Sequence, residues 1–209
     1  MRLYITRHGT TEWNIEKRLQ GWGDSPLTEE GINRAVSLGE SLADVDFDII
    51  YTSPQKRAME TAKLIMGNKN TKIITHDGLK ELRFGIWEGM ELDEINEKYP
   101  EEYYLYRNRP ELYIPIDGES FKDLFNRVES FLEELKAVDY RNVLIVTHGM
   151  TIKTLITIIK GLTLDEFSSL PVYTGTALNI CEVKGGKFEL IVEGDISHIK
   201  GYEKFDESY

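Results

Sequence analysis

The sequence predicts an α/β fold in which helices cover both faces of a mostly parallel β-sheet, giving three layers. Short apolar segments rich in Val, Ile and Leu alternate along the chain with amphipathic segments of helical periodicity. The clearest strand, residues 142–150 (NVLIVTHGM), contains an uninterrupted run of β-branched or Leu residues from Val143 to Thr147. A run without polar alternation is typical of a central parallel strand that is covered on both faces.

The first half of the chain follows this alternation, and cap residues define its helices. Thr28 is a predicted N-cap. Ser53 and Pro54 are a typical N-cap and first helical residue, and Gly67 is a typical end for the helix that follows them. The elements predicted here are a strand over 2–6, a helix over 29–43, a strand over 47–53, a helix from Pro54 to Gly67 and a strand over 72–75.

The second half combines a helical insertion with the rest of the sheet. Residues 85–115 are rich in Glu and Tyr and lack a strand pattern, so we expect an insertion, about 85–135 with its following helix, that caps the carboxyl ends of the strands. Gly185 and Gly186 between two apolar segments predict a β-hairpin. No periodicity is predicted after about Asp195. The elements predicted here are a helix over 120–137, the strand over 142–150, a helix over 151–160 and hairpin strands over 177–183 and 187–192.

Composition and charge exclude several classes of function. The 209 residues include 41% hydrophobic residues, which suits a single globular domain over 1–209. The 25 basic and 36 acidic residues give a net charge of -11, which argues against nucleic acid as a partner. We find no signal peptide or membrane span, and the single Cys181 excludes an internal disulfide. We therefore expect a cytoplasmic protein without a membrane partner.

Four charged or titratable side chains are predicted to gather at the carboxyl edge of the sheet. Arg7 and His8 end the first strand, and His148 ends the central one. Arg57 lies in the first turn of the helix after the second strand. Each residue alone is typical of an ordinary surface or strand-end position. Because parallel α/β sheets bind ligands at this edge, the four together predict a binding site.

The residue types in this cluster favour a phosphate over a metal ion. Metal sites combine histidine with carboxylate or thiolate ligands, and adjacent guanidinium groups disfavour a bound cation. Arginine instead pairs with phosphate oxygens through forked hydrogen bonds. The backbone amides of Gly9 and Gly149 can approach an anion closely because no side chain obstructs them. We therefore expect a site for a dianion that needs no metal ion or cofactor.

A histidine within such a site supports chemistry as well as binding. An imidazole with one unprotonated ring nitrogen can attack phosphorus and hold the phosphoryl group as a phosphoramidate, while cations neutralise the transferring oxygens. The departing oxygen then needs an acid. We find no competing nucleophile, because Cys181 lies in a predicted strand and the GxSxG and GxxxxGK[ST] motifs are missing.

Five segments carry further motifs in a fixed order: LYITRHGTTEWN at 3–14, QGWGDSPLTEEG at 20–31, TSPQKRAMETA at 52–62, LKELRFGIWEG at 79–89 and VTHGMT at 146–151. Together they resemble the histidine phosphatase superfamily and, within it, the phosphoglycerate mutase-like branch, which contains mutases and phosphatases. The resemblance extends from Leu3 to about Gly161. It implies the three-layer fold of that branch with a helical cap.

The resemblance also implies roles for individual residues. His8 matches the histidine that becomes phosphorylated on a ring nitrogen. Arg7, Arg57 and His148 match the groups that surround the phosphoryl oxygens. Auxiliary phosphate or substrate contacts are implied for Thr10, Asn14, Gln20 and Gly21, in addition to the contact expected at Gly149.

The proton-transfer group is assigned by its motif. Glu81, in KELRFG, matches the carboxyl that protonates the leaving group and later takes a proton from water. Several other acidic residues follow closely, and most of them are expected on a solvated face. Among these, Glu88 is the alternative candidate.

Three functions remain open. A phosphatase admits water to the phosphohistidine, whereas a cofactor-dependent phosphoglycerate mutase returns the phosphoryl group to a reoriented substrate and is typically longer. The segment ELRFGIWEGMELDEINEKYP that begins at Glu81, followed by GES at 118–120, resembles the phosphatase side. We therefore expect hydrolysis of a small phosphate monoester. A mutase is the second alternative, and a phosphate-binding regulatory module without catalysis is the third.

The Tyr-rich part of the insertion is expected to form the wall that faces the rest of the ester. Tyrosines there can stack on a substrate, donate hydrogen bonds to it, or serve only in packing. The candidate substrates are phosphoglycerates, sugar phosphates, ribazole phosphate and nucleotides.

Overall fold

The computed structural model describes residues 1–199 and confirms the predicted α/β fold. Its strands and α-helices follow the chain in this order: β1 (Arg2–Arg7), α1 (Glu12–Ile15), α2 (Glu29–Ser41), β2 (Ile49–Thr52), α3 (Lys56–Met66), β3 (Ile73–Thr75), α4 (Leu92–Lys98), α5 (Pro100–Asn108), α6 (Phe121–Lys136), β4 (Asn142–Thr147), α7 (Gly149–Ile159), β5 (Leu178–Lys184) and β6 (Lys187–Asp195).

The strands form one mixed sheet with the order β3–β2–β4–β1–β5–β6. The four neighbouring strands β3, β2, β4 and β1 are parallel to one another. Strand β5 pairs antiparallel with β1, and β6 pairs antiparallel with β5. The residues from Val143 to Thr147 in β4 are fully buried, as their uninterrupted apolar run predicts. Arg7 in β1 pairs in register with Thr147 in β4. The next residue of each strand is a histidine, so His8 and His148 leave the sheet side by side.

Apolar side chains on the two faces of the sheet form two separate cores, which gives the three layers. On one face, Leu38 of α2 and Ala62 of α3 are completely buried. On the other face, Phe131 of α6 and Leu155 of α7 occupy the larger core together with the insertion. Polar side chains collect at the carboxyl ends of β1 and β4, between the two cores and the insertion.

The insertion is helical, as predicted, and most of its tyrosines serve in packing. The indole ring of Trp87 has its centroid 6.2 Å from that of Tyr99 and 6.4 Å from that of Tyr103. The corresponding distances are 5.9 Å to Tyr106 and 5.5 Å to Tyr113. These rings form an aromatic core of the cap. Of the four tyrosines, Tyr106 is the one that also reaches the strand-edge cavity described below.

The predicted start of α3 is wrong. Ser53 and Pro54 precede the helix, which begins at Lys56 with Gln55 as an N-cap that makes no side-chain capping bond. Instead, the carboxylate of Asp24 accepts a hydrogen bond from the Lys56 amide at 2.6 Å. A carboxylate from a distant loop therefore supplies the cap and the favourable charge at the helix N-terminus. No pattern in the sequence around α3 predicts this capping contact.

The boundary between β4 and α7 also differs from the prediction. The strand ends at Thr147, and the helix begins at Gly149 instead of Thr151. The carboxylate of Glu81 accepts hydrogen bonds from the amides of Met150 at 3.2 Å and Thr151 at 3.3 Å. These bonds satisfy amides that the first turn of a helix leaves without intrahelical partners.

The predicted hairpin is confirmed, and its second strand is longer than predicted. Gly185 and Gly186 form the turn with φ of 57° and 75°, a conformation that favours glycine at both positions. Strand β6 continues to Asp195. The structure describes the segment after Asp195 as far as residue 199, and residues 200–209 lie outside the described residues. Among residues 1–199, no helix is both long and apolar enough to cross a membrane.

Candidate active site

The side chains predicted to gather at the strand edge surround one cavity of about 430 Å³, here called the strand-edge cavity. It lies between the ends of β1 and β4 and the insertion. The rings of His8 and His148 have their centroids 5.2 Å apart. His148 and Thr10 are buried and are not among the residues that line the cavity. The other predicted site residues line the cavity: Arg7, His8, Asn14, Gln20, Gly21, Arg57, Glu81 and Gly149.

Hydrogen bonds to both ring nitrogens define the tautomer of His8. The Nδ1 atom lies 2.8 Å from the carbonyl oxygen of Gly9, which can only accept, so Nδ1 carries the proton. Arg57 donates from Nε to Nε2 of His8 at 3.2 Å. Both contacts assign the lone pair to Nε2. The ring therefore presents its unprotonated nitrogen to the arginine side of the cavity.

Burial and the neighbouring cations keep both histidines of the site neutral. Burial, with added repulsion from Arg57 and Arg7, holds the pKa of His8 well below its usual value. Burial and Arg57 have the same effect on the pKa of His148. Neither ring nitrogen of His148 has a hydrogen-bond partner within residues 1–199. A neutral imidazole with an unused N–H is suited to donate to an anionic oxygen bound beside His8.

The guanidinium of Arg57 is held by the loop after α1. It donates from Nη1 to the carbonyl of Gly23 at 2.6 Å and from Nη2 to the carbonyl of Gly21 at 2.9 Å. Nη1 also pairs with the Asp24 carboxylate at 3.2 Å. The side chain is almost completely buried, so its plane and position beside His8 are set before any ligand arrives.

Arg7 lines the same cavity. Its Nη1 donates to the carbonyl of Tyr173 at 3.0 Å, whereas its buried Nε has no partner within residues 1–199. An ideal Cβ on Gly149 would lie 3.7 Å from this Nε. The two guanidinium groups thus place positive charge in the cavity that His8 lines, as expected for a site that binds a phosphate dianion.

Glu81 lies at the N-terminus of α7. Besides the amides of that helix, its Oε1 accepts from the Leu82 amide at 2.9 Å and from the Thr151 hydroxyl at 3.3 Å. Both the Glu81 side chain and His8 line the cavity. The hydrogen bonds therefore give the carboxyl a defined orientation at the wall of the cavity that contains His8.

The backbone of Glu81 is held by side chains that the sequence analysis does not identify. Gln55 accepts from the Glu81 amide at 3.0 Å, and Trp22 donates from its indole to the Glu81 carbonyl at 2.9 Å. Arg127 donates to the same carbonyl at 3.0 Å.

All five N–H donors of Arg127 form hydrogen bonds, three of them to backbone carbonyls of the segment 78–81. Two of them bind the Glu119 carboxylate in a fork at 2.6 Å and 2.8 Å. The others reach the carbonyls of Gly78 at 2.9 Å, Lys80 at 2.7 Å and Glu81. Arg127 lies on α6, and Glu119 lies just before the N-cap of that helix. The N-terminal half of α6 therefore fixes the position of the segment 78–81.

Glu88, the alternative candidate for the acid, makes hydrogen bonds that stabilise the backbone around it. Its Oε1 accepts from the backbone amides of Trp22 at 2.9 Å and Phe84 at 3.1 Å. A Cβ on Gly21 would lie 2.3 Å from that oxygen. Glu88 therefore ties the loop around Gly21 to the segment after Glu81, and it does not line the cavity.

The amide of Gly9 does not face the cavity, contrary to the prediction. It donates to the Thr61 hydroxyl at 3.0 Å. A Cβ on Gly9 would lie 2.5 Å from the carbonyl oxygen of Gly31 in α2. Gly9 is thus required for the close approach of the loop to α2. Thr10 contributes to the same approach, because its carbonyl accepts from the Thr28 amide at 2.9 Å.

Asn14 and Gln20 line the cavity while belonging to a hydrogen-bond network around Thr11. Asn14 accepts from the Thr11 amide at 3.1 Å, which completes a capping box at the start of α1. Gln20 donates to the Thr11 hydroxyl at 2.7 Å. Arg18, which is not among the predicted site residues, also lines the cavity and pairs with Glu91 at 2.7 Å.

The fold and the site together identify the family of this protein. The model of the histidine phosphatase superfamily (branch 1) matches residues 3–195, and the chain belongs to this family. The resemblance found in the sequence is thereby confirmed.

Particular relatives include both phosphatases and mutases. The chain is 35% identical to phosphoserine phosphatase 1 of Hydrogenobacter thermophilus over 170 residues, which cover 81% of each protein. It is 35% identical to the 2,3-bisphosphoglycerate-dependent phosphoglycerate mutase of Bartonella quintana, over 84% of this chain and 89% of the mutase. Among solved structures, Bacillus stearothermophilus YhfR is similar with a TM-score of 0.90 and 43% identity, over 94% of this chain and 98% of that one.

Proposed function

We propose that this protein hydrolyses small phosphate monoesters, without a metal ion, through a phosphohistidine on His8. The observation that carries the proposal is the state of the His8 ring: Nδ1 is bonded to a carbonyl, and the lone pair of Nε2 points toward Arg57 in a cavity that also contains Arg7. A neutral imidazole aimed at a pocket for a dianion is equipped to attack phosphorus.

In the first step, Nε2 of His8 bonds to phosphorus while the bond from phosphorus to the ester oxygen breaks. Arg7 and Arg57 neutralise the phosphoryl oxygens, and His148 donates to one of them. Binding of the phosphoryl group requires Arg57 to exchange its contact with Nε2 for contacts with oxygen. Glu81 gives its proton to the departing alcohol oxygen.

In the second step, water attacks the phosphohistidine and the bond from phosphorus to Nε2 breaks. Glu81 takes one proton from the water, which restores its acid form as inorganic phosphate is released. His8 regains its lone pair with Nδ1 still protonated, so one catalytic cycle leaves every group of the site as it began. The hydrogen bonds that hold the Glu81 carboxyl in the cavity that His8 lines support this double use.

A mutase is the second candidate, because relatives that carry the name phosphoglycerate mutase match this chain closely. Length does not separate the two activities here, since the alignment with the B. quintana mutase covers 84% of this chain and 89% of the mutase. The name phosphoserine phosphatase 1 of the relative from H. thermophilus favours hydrolysis. The phosphatase-like segment that starts at Glu81 favours it as well.

The test is release of inorganic phosphate from 4-nitrophenyl phosphate in the presence of a metal chelator. We expect steady turnover. A mutase would instead release little phosphate and would interconvert phosphoglycerates when supplied with bisphosphoglycerate. Binding of inorganic phosphate with neither activity would identify a regulatory module and would refute the proposed hydrolysis.

Arg127→Met is expected to lower turnover by displacing Glu81. Loss of the five hydrogen bonds from this side chain frees the segment before the carboxyl, and a misplacement of about 1 Å can reduce a rate about 10²-fold. We expect a larger loss for an alkyl phosphate than for 4-nitrophenyl phosphate, because the alkoxide depends more on the acid. Steady-state rates with the two substrates measure this.

Arg141→Met is the matched control, because the Arg141 side chain is 84% exposed. It should leave both rates unchanged. If Arg127→Met reduced both rates equally, or neither, its proposed effect on Glu81 would be wrong. Thermal unfolding of both variants separates a local displacement from general loss of structure.

A further inference from the structure

A second cavity of about 560 Å³ adjoins the strand-edge cavity and is here called the Lys153 cavity. Tyr106, Met150 and Val172 line both cavities, so the two cavities lie side by side. The groups that distinguish the second cavity are the side chains of Arg107 and Lys153. None of the residues that bind or react with the phosphoryl group in the proposed function extends into it.

Lys153 is buried without a counter-ion. Only 8% of the residue is exposed, and its ammonium lies 4.5 Å from the ring centroid of Phe167. Neither Lys153 nor Arg107 forms an ion pair or a side-chain hydrogen bond within residues 1–199. Burial, followed by repulsion from Arg107, lowers the pKa of Lys153 to about 8.

A buried ammonium without a counter-ion lowers the stability of the folded protein unless an anion or water compensates for its loss of hydration. Although the chain has a net charge of -11, Lys153 and Arg107 place two positive charges in this cavity. Such local positive charge attracts anionic ligands. Contact with the Phe167 ring compensates in part, because an aromatic face stabilises a cation. The remaining hydrogen-bond donors of the ammonium are available to a ligand.

The position of Lys153 relates the second cavity to the reacting phosphate. Lys153 follows Gly149 by one turn of α7, which corresponds to about 6 Å along the helix axis. Met150, which lines both cavities, separates the position of the reacting phosphate from Lys153, so the alcohol part of an extended substrate can pass Met150 and reach the Lys153 cavity. A second charged group on the alcohol part reaches the Lys153 ammonium when several bonds separate that group from the phosphorus atom.

We propose that Lys153 and Arg107 form a subsite for an anionic group, a carboxylate or a second phosphate, on the alcohol part of the substrate. This inference rests on the proposed function, because it places the reacting phosphate beside His8. It defines the preferred substrate class as doubly anionic phosphate monoesters of extended shape. Tyr106, Met150 and Val172 contact the apolar section between the two charges.

The test uses alkyl phosphates of increasing chain length that end in a methyl group, a carboxylate or a second phosphate. We expect kcat/KM to be about tenfold higher for an anionic end than for a methyl end at the best chain length, which is the contribution of one hydrogen bond to a charged group. Comparison of the two anionic series identifies which anion the subsite prefers. Hydrolysis of the methyl-ended series tests the proposed function separately.

Lys153→Met keeps the length of the side chain and removes the charge. We expect it to abolish the preference by raising KM for the anionic series about tenfold, with the methyl-ended series unchanged. Lys153→Arg should retain the preference. Arg107→Gln should reduce it only about threefold, because Arg107 is exposed to solvent. Lys63→Met, at an exposed position of α3, is the control for a change of net charge.

Two results would overturn the subsite. One is a wild-type protein that treats methyl and anionic ends alike, which would identify Lys153 as a lysine solvated by water. The other is an equal loss for both series in Lys153→Met. Binding of matched alkylphosphonates, measured by calorimetry, tests the subsite even if no substrate is hydrolysed. Tighter binding of the carboxylate-ended phosphonate, lost in Lys153→Met, would support it, and equal binding would refute it.

Discussion

His8→Ala is expected to reduce turnover of 4-nitrophenyl phosphate on the order of 10⁶-fold, the scale observed when an enzyme with a covalent intermediate loses its nucleophile. The variant lacks the atom that bonds to phosphorus, whereas Arg7, Arg57 and His148 remain. It should therefore still bind inorganic phosphate. Steady-state phosphate release measures the first effect, and calorimetric titration with phosphate measures the second.

The control is His198→Ala, which removes a histidine that lines neither the strand-edge cavity nor the Lys153 cavity. It should retain the wild-type rate. Residual turnover within about tenfold of wild type in His8→Ala, with phosphate binding intact, would mean that water attacks the substrate directly and that the covalent route is wrong.

Glu81→Gln is expected to slow the first step by about 10² to 10⁴-fold for an alkyl phosphate, the range of general acid catalysis. For 4-nitrophenyl phosphate the loss should be about tenfold or less, because the nitrophenolate leaves without a proton. Single-turnover measurement of alcohol release isolates this step. Breakdown of the phosphohistidine should slow by the same factor for both substrates, since the intermediate is identical.

Glu88→Gln is the matched control, as it makes the same chemical change in a carboxylate that accepts hydrogen bonds from the amides of Trp22 and Phe84 and does not line the strand-edge cavity. Its effect should not depend on the leaving group. An equal first-step loss for both substrates in Glu81→Gln would exclude Glu81 as the acid. A leaving-group dependence in Glu88→Gln instead would transfer the role to Glu88.

The sequence predicts the centre of this site well because strand geometry brings the relevant residues together. The apolar run that ends at Thr147 identifies a central parallel strand, and because parallel strands end at one edge of the sheet, His8 and His148 are expected at the same edge. That the two strands are neighbours is known only from the structure. The motif resemblance adds Glu81, which composition alone does not distinguish from the acids around it. Arg57 follows from its place in the first turn after β2.

The contacts that hold these residues are not predictable in the same way. Asp24 caps α3 across 32 positions of sequence, and Arg127 holds Glu81 across 46. No local pattern indicates such partners, because an aspartate in a loop and an arginine on an amphipathic helix are both ordinary surface residues. The same holds for Lys153, whose burial depends on how α5 and the segment around Phe167 close over α7.

The most direct test of the central claim is to stop the reaction with base during turnover of a phosphate monoester and to locate the bound phosphoryl group. Phosphoramidates survive base and are lost in acid. We expect one acid-labile phosphoryl group per chain, on Nε2 of His8, identified by mass spectrometry and ³¹P NMR. Turnover that leaves no acid-labile group during rapid quenching, or a group located on any other residue, would contradict the account.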